Sequence, residues 1–265
     1  MAGHLLYLDH YLYKTAVRHL TTIRAWRQID ELARTHQKTQ IEINILETGD
    51  VARDRWYPGA TEDMAAHLFA LLAHTKIGLE NEEGKSLQPG ETAARRQNFF
   101  EALCTEPGDQ DIVLGRYRGF PDSAATYFAA RVRLTHSDWV NVPIIIRSGK
   151  SLSADVATVR IWFENRQLIE ARVQPDPVLR LVSIARNGAG ARYVDENLVI
   201  DPTEPGPYGR VLVELQRGER SWFLTERESR TVRAWLSAAG RCRPPLLPYD
   251  PGSIGPNSGP LDFSR

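Results

Sequence analysis

Cysteine is scarce in this chain: two residues in 265, Cys104 and Cys242. Neither shows a metal-ligand or redox spacing, so the pair argues for reduced thiols in a cytoplasmic protein and against a disulfide scaffold. Net charge is missing too. Lys+Arg and Asp+Glu stand at 33 each, which leaves no long-range field towards nucleic acid or a membrane surface. An anionic ligand must therefore be caught by a local pocket. No apolar run approaches the roughly 20 residues of a membrane helix, and the N-terminus has no signal-peptide design. Internal repeats and low-complexity segments are absent. So is any Gly-x-Gly-x-x-Gly loop: Gly188-Ala189-Gly190 is too short and falls between two expected strands, where it reads as a hairpin turn. The chain alone is thus expected to bind no dinucleotide, and no metal. With 42% hydrophobic and 25% charged residues, the composition is that of an ordinary globular protein.

Hydrophobic periodicity changes character along the chain. Residues 14–33 repeat apolar side chains at three and four, as an amphipathic helix does. Residues 39–46 alternate, with Ile41, Ile43 and Ile45 on one side, and read as a strand ending at Glu47. A second helix is expected from Thr61, as N-cap, through residue 73, with two acids in its first turn. Residues 76–90 read as a loop and 91–103 as a helix. Beyond residue 109, six strands are expected at 125–134, 142–147, 156–163, 168–173, 179–185 and 193–199, followed by helices at 208–216 and 225–238. The tail from residue 243 is rich in Pro and Gly and reads as an extended arm. Helices followed by a run of strands indicate an α+β fold, a large predominantly antiparallel sheet with helices packed on one face. No strong boundary divides residues 1–265, so one domain is expected. The strand Val159-Arg160-Ile161-Trp162-Phe163 carries apolar residues on both faces, and self-association through the free face follows from that.

The chemistry concentrates in Asp9-His10-Tyr11-Leu12-Tyr13-Lys14. Lys14, Tyr11 and His10 can all hydrogen-bond phosphate oxygens, while Asp9 can orient an imidazole elsewhere. The plainer alternative is a helix start capped by Asp9. His67, on an apolar helix, is a natural base for a sugar hydroxyl proton, and a carboxylate such as Asp9 on its other nitrogen would fix its tautomer. A half-buried packing histidine is the alternative there, and Glu47 at its strand end could bind hydroxyls or face water.

Leu8-Asp9-His10-Tyr11-Leu12-Tyr13-Lys14 resembles the sugar-phosphate signature Arg-Ile-Asp-His-Tyr-Leu-Gly-Lys of glucose-6-phosphate dehydrogenases. Later segments resemble that family in the same order. Ile41-Glu42-Ile43-Asn44-Ile45-Leu46-Glu47 is similar to the strand whose terminal Glu contacts the sugar. Glu62-Asp63-Met64-Ala65-Ala66-His67-Leu68 is similar to Asp-Xaa-Met-Gln-Asn-His-Leu, whose His is the catalytic base. Val142-Pro143-Ile144-Ile145-Ile146-Arg147-Ser148-Gly149-Lys150 and Arg172-Val173-Gln174-Pro175 are similar to segments whose Lys and Gln contact substrate. Pro248-Tyr249 with Gly252-Ser253-Ile254-Gly255-Pro256 resembles the closing segment. The resemblance implies His67 as base with Asp9 orienting it, His10, Tyr11, Lys14 and Lys150 on the phosphate, and Glu47, Glu62 and Gln174 on the sugar.

Departures accompany it. Tyr13 replaces a Gly, putting bulk beside the expected phosphate site. Counted back from His67, Glu62 takes the place of the sugar-binding Asp. The segment between Glu47 and His67 is about four residues shorter than the resemblance implies, and Asp155 stands where a second basic residue is expected. Only seven residues precede the first motif, where the family has a Rossmann domain. The expectation is the sugar-6-phosphate-binding, base-bearing subunit of a split glucose-6-phosphate dehydrogenase-like oxidoreductase, with a separate chain supplying NADP or NAD. The alternatives are a nicotinamide-independent sugar-phosphate isomerase or epimerase, and a catalytically silent sugar-phosphate-binding subunit.

Overall fold

The computed structural model describes residues 6–52, 56–82, 85, 87–136, 139–185, 190–196 and 206–257. Its elements are β1 (Leu6–Tyr7), a 3-10 turn (His10–Tyr13), α1 (Thr15–Leu20), a second turn (Ile23–Ala25), α2 (Arg27–Thr35), β2 (Lys38–Leu46), α3 (Ala60–Glu80) and α4 (Pro89–Ala102). A third turn (Asp109–Asp111) leads into β3 (Ile112–Tyr117), β4 (Tyr127–Val132), β5 (Ile144–Gly149), β6 (Val156–Phe163), β7 (Gln167–Gln174), β8 (Val178–Ile184) and β9 (Ala191–Glu196). Then come α5 (Pro207–Gln216), β10 (Leu224–Thr225), α6 (Glu226–Cys242) and β11 (Leu246–Tyr249).

One nine-stranded sheet organises the molecule, in the order β11-β3-β4-β5-β2-β6-β7-β8-β9. Its pairings are antiparallel except β2 with β5 and β11 with β3. Cross-strand register puts Ile41, Ile161, Ile169 and Leu181 in one row. All four join the main core under the helices. One residue along, the same register puts Glu42, Arg160, Glu170, Arg180 and Asp195 in a row on the opposite face. Signs alternate along that row, with Arg160–Glu170 at 2.8 Å and Arg180–Asp195 at 3.2 Å. A one-residue slip would bury the charges, so the ladder and the apolar row specify register together. This part of the second face is therefore charged. The apolar part lies at β3–β5, where Val113, Tyr127, Ala129 and Ile145 form a smaller core with Tyr249.

The expected helix over 14–33 is two short helices with a turn between them. The Thr21 and Thr22 hydroxyls bond back to the Arg18 and His19 carbonyls at 2.8 and 3.3 Å, the local competition that ends helices at such residues. The second expected helix starts at Ala60 rather than after a Thr61 cap: Gly59 precedes it with φ +112°, a conformation suited to glycine. It also runs seven residues further than its apolar stretch, through 76–80, because Ile77, Gly78 and Leu79 are buried. Gly78 lies against the end of α1, where a Cβ would come within 1.6 Å of the Leu20 carbonyl oxygen. Tertiary packing thus overrides a polar local sequence. β3 was not expected, since Gly115 and Arg116 dilute its pattern, yet Gly115 is needed: a Cβ there would meet Pro256 at 2.9 Å. The tail is not wholly irregular either. β11 extends the sheet, with Pro248 tolerated because the strand is an edge. Gly188 and Ala189 of the expected hairpin turn, residues 197–199 of the last expected strand, and residues 258–265 of the tail lie outside the described residues.

Candidate functional site

Two short strands bring the N-terminal motif to the centre of the molecule. β1 pairs with β10, Leu6 opposite Thr225 and Tyr7 opposite Leu224, so the chain enters the 3-10 turn already anchored. Asp9 caps that turn. Its Oδ1 accepts the Tyr11 backbone N–H at 2.9 Å and also meets Nδ1 of His67 at 2.8 Å. Asp9 is 2% exposed and the His67 side chain 18%. A carboxylate has no proton to give, so Nδ1 carries the hydrogen and Nε2 keeps its lone pair.

Around this pair further hydrogen-bonding groups assemble. The rings of His10, Tyr11 and His67 lie 4.7–4.9 Å apart, centroid to centroid. Tyr208, from the first turn of α5, stacks on His10 at 5.6 Å. The Lys14 ammonium sits 3.7 Å from the Tyr11 ring centroid and donates to Gln174 Oε1. Burial lowers the pKa of Lys14 to about 8 against the opposing pull of Asp9 and Glu47. Burial, then the neighbouring His67, holds the His10 imidazole below its ordinary value, so it is mostly neutral at pH 7. Burial and then Glu47 and Asp9 push the Tyr11 phenol far above its usual range, so it remains a donor.

Strand register builds the other half. β2 and β5 run parallel with Leu46 opposite Gly149, so the next residue on each, Glu47 and Lys150, emerge side by side. β7 ends at the same edge, since Ala157 on β6 pairs with Gln174 and β6 opposes both β2 and β7. Carboxyl ends of parallel neighbours are where open sheets offer ligand sites. Lys150 donates to Glu47 and lies 3.1 Å from Asp63. Burial alone would depress its pKa, but Glu47 and Asp63 outweigh this and raise it. Tyr11 also feels the charges of Glu47 and Asp63, so the two halves adjoin.

The structure brings together Asp9, His10, Tyr11, Lys14, His67 and Gln174 as one group and Glu47 with Lys150 as its neighbour. Lys150 is held there by two carboxylates, Glu47 and Asp63. Glu62 is a correction: it is exposed and lines a separate cleft with Ala239 and Arg243. Asp63, one helical turn before His67 on the same face, is the acid of that segment that meets Lys150, at 3.1 Å. Tyr13 does not crowd the site: it is 1% exposed and packs on Phe223. Asp155 is exposed. Asp63 and Tyr208 were missed from sequence; the i, i+4 spacing to His67 was the available signal for the first, and none existed for the second.

Asp9, His10 and His67 also set three metal-ligating atoms within 4.8 Å of one another. That is one short of a closed zinc site, and Asp9 Oδ1 is already committed twice. A cavity of about 550 Å³ opens elsewhere, beside Lys76, Arg95 and His136. Its cations are paired, Lys76 with Glu80 and Arg95 with Glu91, and it lacks an acid–base dyad.

The model of the glucose-6-phosphate dehydrogenase C-terminal domain matches residues 29–260. The chain belongs to this family. It is 30% identical, over 96% of its length and 60% of the relative's, to glucose-6-phosphate 1-dehydrogenase 1 of Mycobacterium tuberculosis. The corresponding enzyme of Mycolicibacterium smegmatis is 26% identical over 86% of this chain and 54% of that one. The crystal structure of glucose-6-phosphate 1-dehydrogenase from Mycobacterium avium has the same fold, with TM-score 0.76 and 25% identity over 95% of this chain and 60% of that chain. A glucose-6-phosphate dehydrogenase in complex with its substrate glucose-6-phosphate shares that fold at TM-score 0.75 and 19% identity. The chain thus spans 54–60% of the curated relatives named here.

Lys14 makes the charge of this cluster pH-sensitive. A depressed pKa means the ligand-free protein loses this charge above pH about 8. Binding of any anion that requires the ammonium then weakens by up to about tenfold per pH unit. ¹³C NMR of the lysine ε-carbons, with Lys14→Met for assignment, should show the midpoint near 8. A midpoint at the ordinary 10.5 would contradict the assignment.

Proposed function

We propose that this domain binds a hexose 6-phosphate and carries the catalytic base of a glucose-6-phosphate dehydrogenase-like oxidoreductase, with NADP or NAD held by a dinucleotide-binding unit that these 265 residues do not themselves form. The observation that carries the reading is the Asp9–His67 bond of 2.8 Å, flanked by the Lys14 group on one side and Lys150 with its two acids on the other. Lys14, Tyr11 and His10 receive the phosphate, since charge-assisted and phenolic donors suit its oxygens. Glu47 and Asp63 accept from sugar hydroxyls. His67 Nε2 takes the proton of the C1 hydroxyl, and Asp9 stabilises the imidazolium that results.

The described residues of the junction from β2 into α3 do not suit a pyrophosphate, which wants a glycine-rich turn into a helix N-terminus: Glu62 and Asp63 stand in the first turn of the helix. In this reading the pyrophosphate is held outside this site, and only the nicotinamide, the hydride acceptor, reaches the sugar C1. Assignment of that acceptor to a separate chain is the split arrangement; supplying a purified dinucleotide-binding protein with NADP and following nicotinamide absorbance tests it. An isomerase or epimerase would need a second free acid or base, but Glu47 is tied to Lys150, which favours the dehydrogenase reading. A cytoplasmic location is supported by two free thiols, and a relative from Arabidopsis thaliana is named cytoplasmic. Self-association through the second face of the sheet belongs to the same proposal; sedimentation showing a monomer at micromolar concentration would remove it.

The roles separate in binding experiments. Lys14→Ala should weaken glucose 6-phosphate binding by about 1.5–3 kcal/mol. His67→Ala should bind nearly as well as wild type while turnover, measured with the dinucleotide-binding unit present, collapses. Asp9→Asn should reproduce the His67 defect in milder form. Glucose binding as tightly as its ester, or equal affinity in wild type and Lys14→Ala, contradicts the reading.

A further inference from the structure

Tyr57 lies on the connection from β2 to α3, and no role above uses it. Its hydroxyl is buried and has no hydrogen-bond partner among the described residues. The Lys150 ammonium lies 6.0 Å from its ring centroid. Phe120 meets the ring edge-on at 6.1 Å and 88°, which holds its plane. Two other phenols share this corner, and both are committed: Tyr117 donates to Asp50, and Tyr249 donates to main-chain carbonyl oxygens of Lys150 and Thr126 at 2.7 and 3.1 Å. Among these three, Tyr57 alone keeps a free hydroxyl. Burial, then the charges of Asp63 and Glu47, raises its pKa far above the ordinary range, so it is a donor at any physiological pH.

An unpaired donor held out of water costs free energy, and native proteins keep few of them without a use. The surrounding groups state what is missing. Glu47 and Asp63 can only accept hydrogen bonds, so they take protons from sugar hydroxyls. The oxygens of those hydroxyls then need donors, and Lys150 already spends two of its three N–H donors on the acids. We propose that Tyr57 is a specificity-determining residue of the sugar site, its O–H donating to one hydroxyl oxygen of the hexose where Glu47, Asp63 and Lys150 meet. This rests on the sugar-phosphate reading above and adds a contact that discriminates among hexose phosphates. A site that hydrogen-bonds a hydroxyl rejects the ligand lacking it, because its own buried group is left unpaired.

The test is a ligand–protein double-mutant cycle by calorimetry. Wild type and Tyr57→Phe, which keeps the ring and its packing on Phe120, are titrated with glucose 6-phosphate and with its 1-, 2-, 3- and 4-deoxy counterparts. Tyr57→Phe should weaken glucose 6-phosphate by about tenfold and leave the affinity for one deoxy ester unchanged, which identifies the hydroxyl. Equal affinity of the two proteins for every ester overturns the proposal, and so does a uniform loss across the series, the mark of a merely structural role. If wild type binds none of the esters, the sugar-phosphate reading falls and takes this inference with it. Wild-type binding with an unaffected Tyr57→Phe removes the inference alone.

Discussion

A single carboxylate oxygen, Asp9 Oδ1, joins two distant parts of the chain. It accepts from the Tyr11 backbone and from His67, 58 positions on from Asp9 in sequence. The first bond shapes the turn that presents His10, Tyr11 and Lys14, and the second aims the imidazole of α3. Burying a carboxylate costs several kcal/mol, and two hydrogen bonds to a charged acceptor offset this at about 1.5–3 kcal/mol each. The other oxygen, Asp9 Oδ2, is buried without a partner, so the balance is narrow. The surroundings must hold both bonds in place. The β1–β10 pairing does so from one side. On the other, Gly78 lets α3 come close to the end of α1.

The two lysines show how environment divides one residue type into two tasks. Lys14 is half-buried beside a phenol and an amide, and its charge is held loosely, with a pKa of about 8. Lys150 is similarly buried but pinned between two acids that raise its pKa. An incoming dianion gains most from the lysine whose charge is uncompensated. The second lysine is committed to Glu47 and Asp63. The sheet enforces this division, since Glu47, Lys150 and Gln174 all leave their strands at one edge.

Much of the site was legible because its residues fall at punctuation points. Glu47, Lys150 and Gln174 close alternating or apolar strands, and Asp9 opens a turn, so periodicity alone placed them at element ends. His67 was legible by type and resemblance; its bond to Asp9 was not, because distance across a fold leaves no mark in sequence. Counting back from His67 along the resembling motif points to Glu62, whereas the structure leaves Glu62 exposed and helical geometry puts Asp63 on the face of His67. β3 and β11 escaped because glycine, arginine and proline break their patterns, and their pairing is settled by packing against Tyr127 and the 252–256 turn. The break after α1 has a local cause, the threonine hydroxyls that bond back into it, whereas the extension of α3 rests on a tertiary contact, Gly78 against the Leu20 carbonyl, that neither segment reveals alone.

The most direct measurement is of the His67 tautomer, since the base role proposed for His67 requires Asp9 to hold the proton on Nδ1. Long-range ¹H–¹⁵N correlation NMR on ring-labelled protein, assigned with His67→Gln and repeated in Asp9→Asn, reads the two ring nitrogens separately. The structure predicts a protonated Nδ1 and a bare Nε2 in wild-type protein above the imidazole pKa, with the preference lost in Asp9→Asn. A His67 ring protonated on Nε2 in wild type, or one whose tautomer is unchanged by Asp9→Asn, would contradict the account.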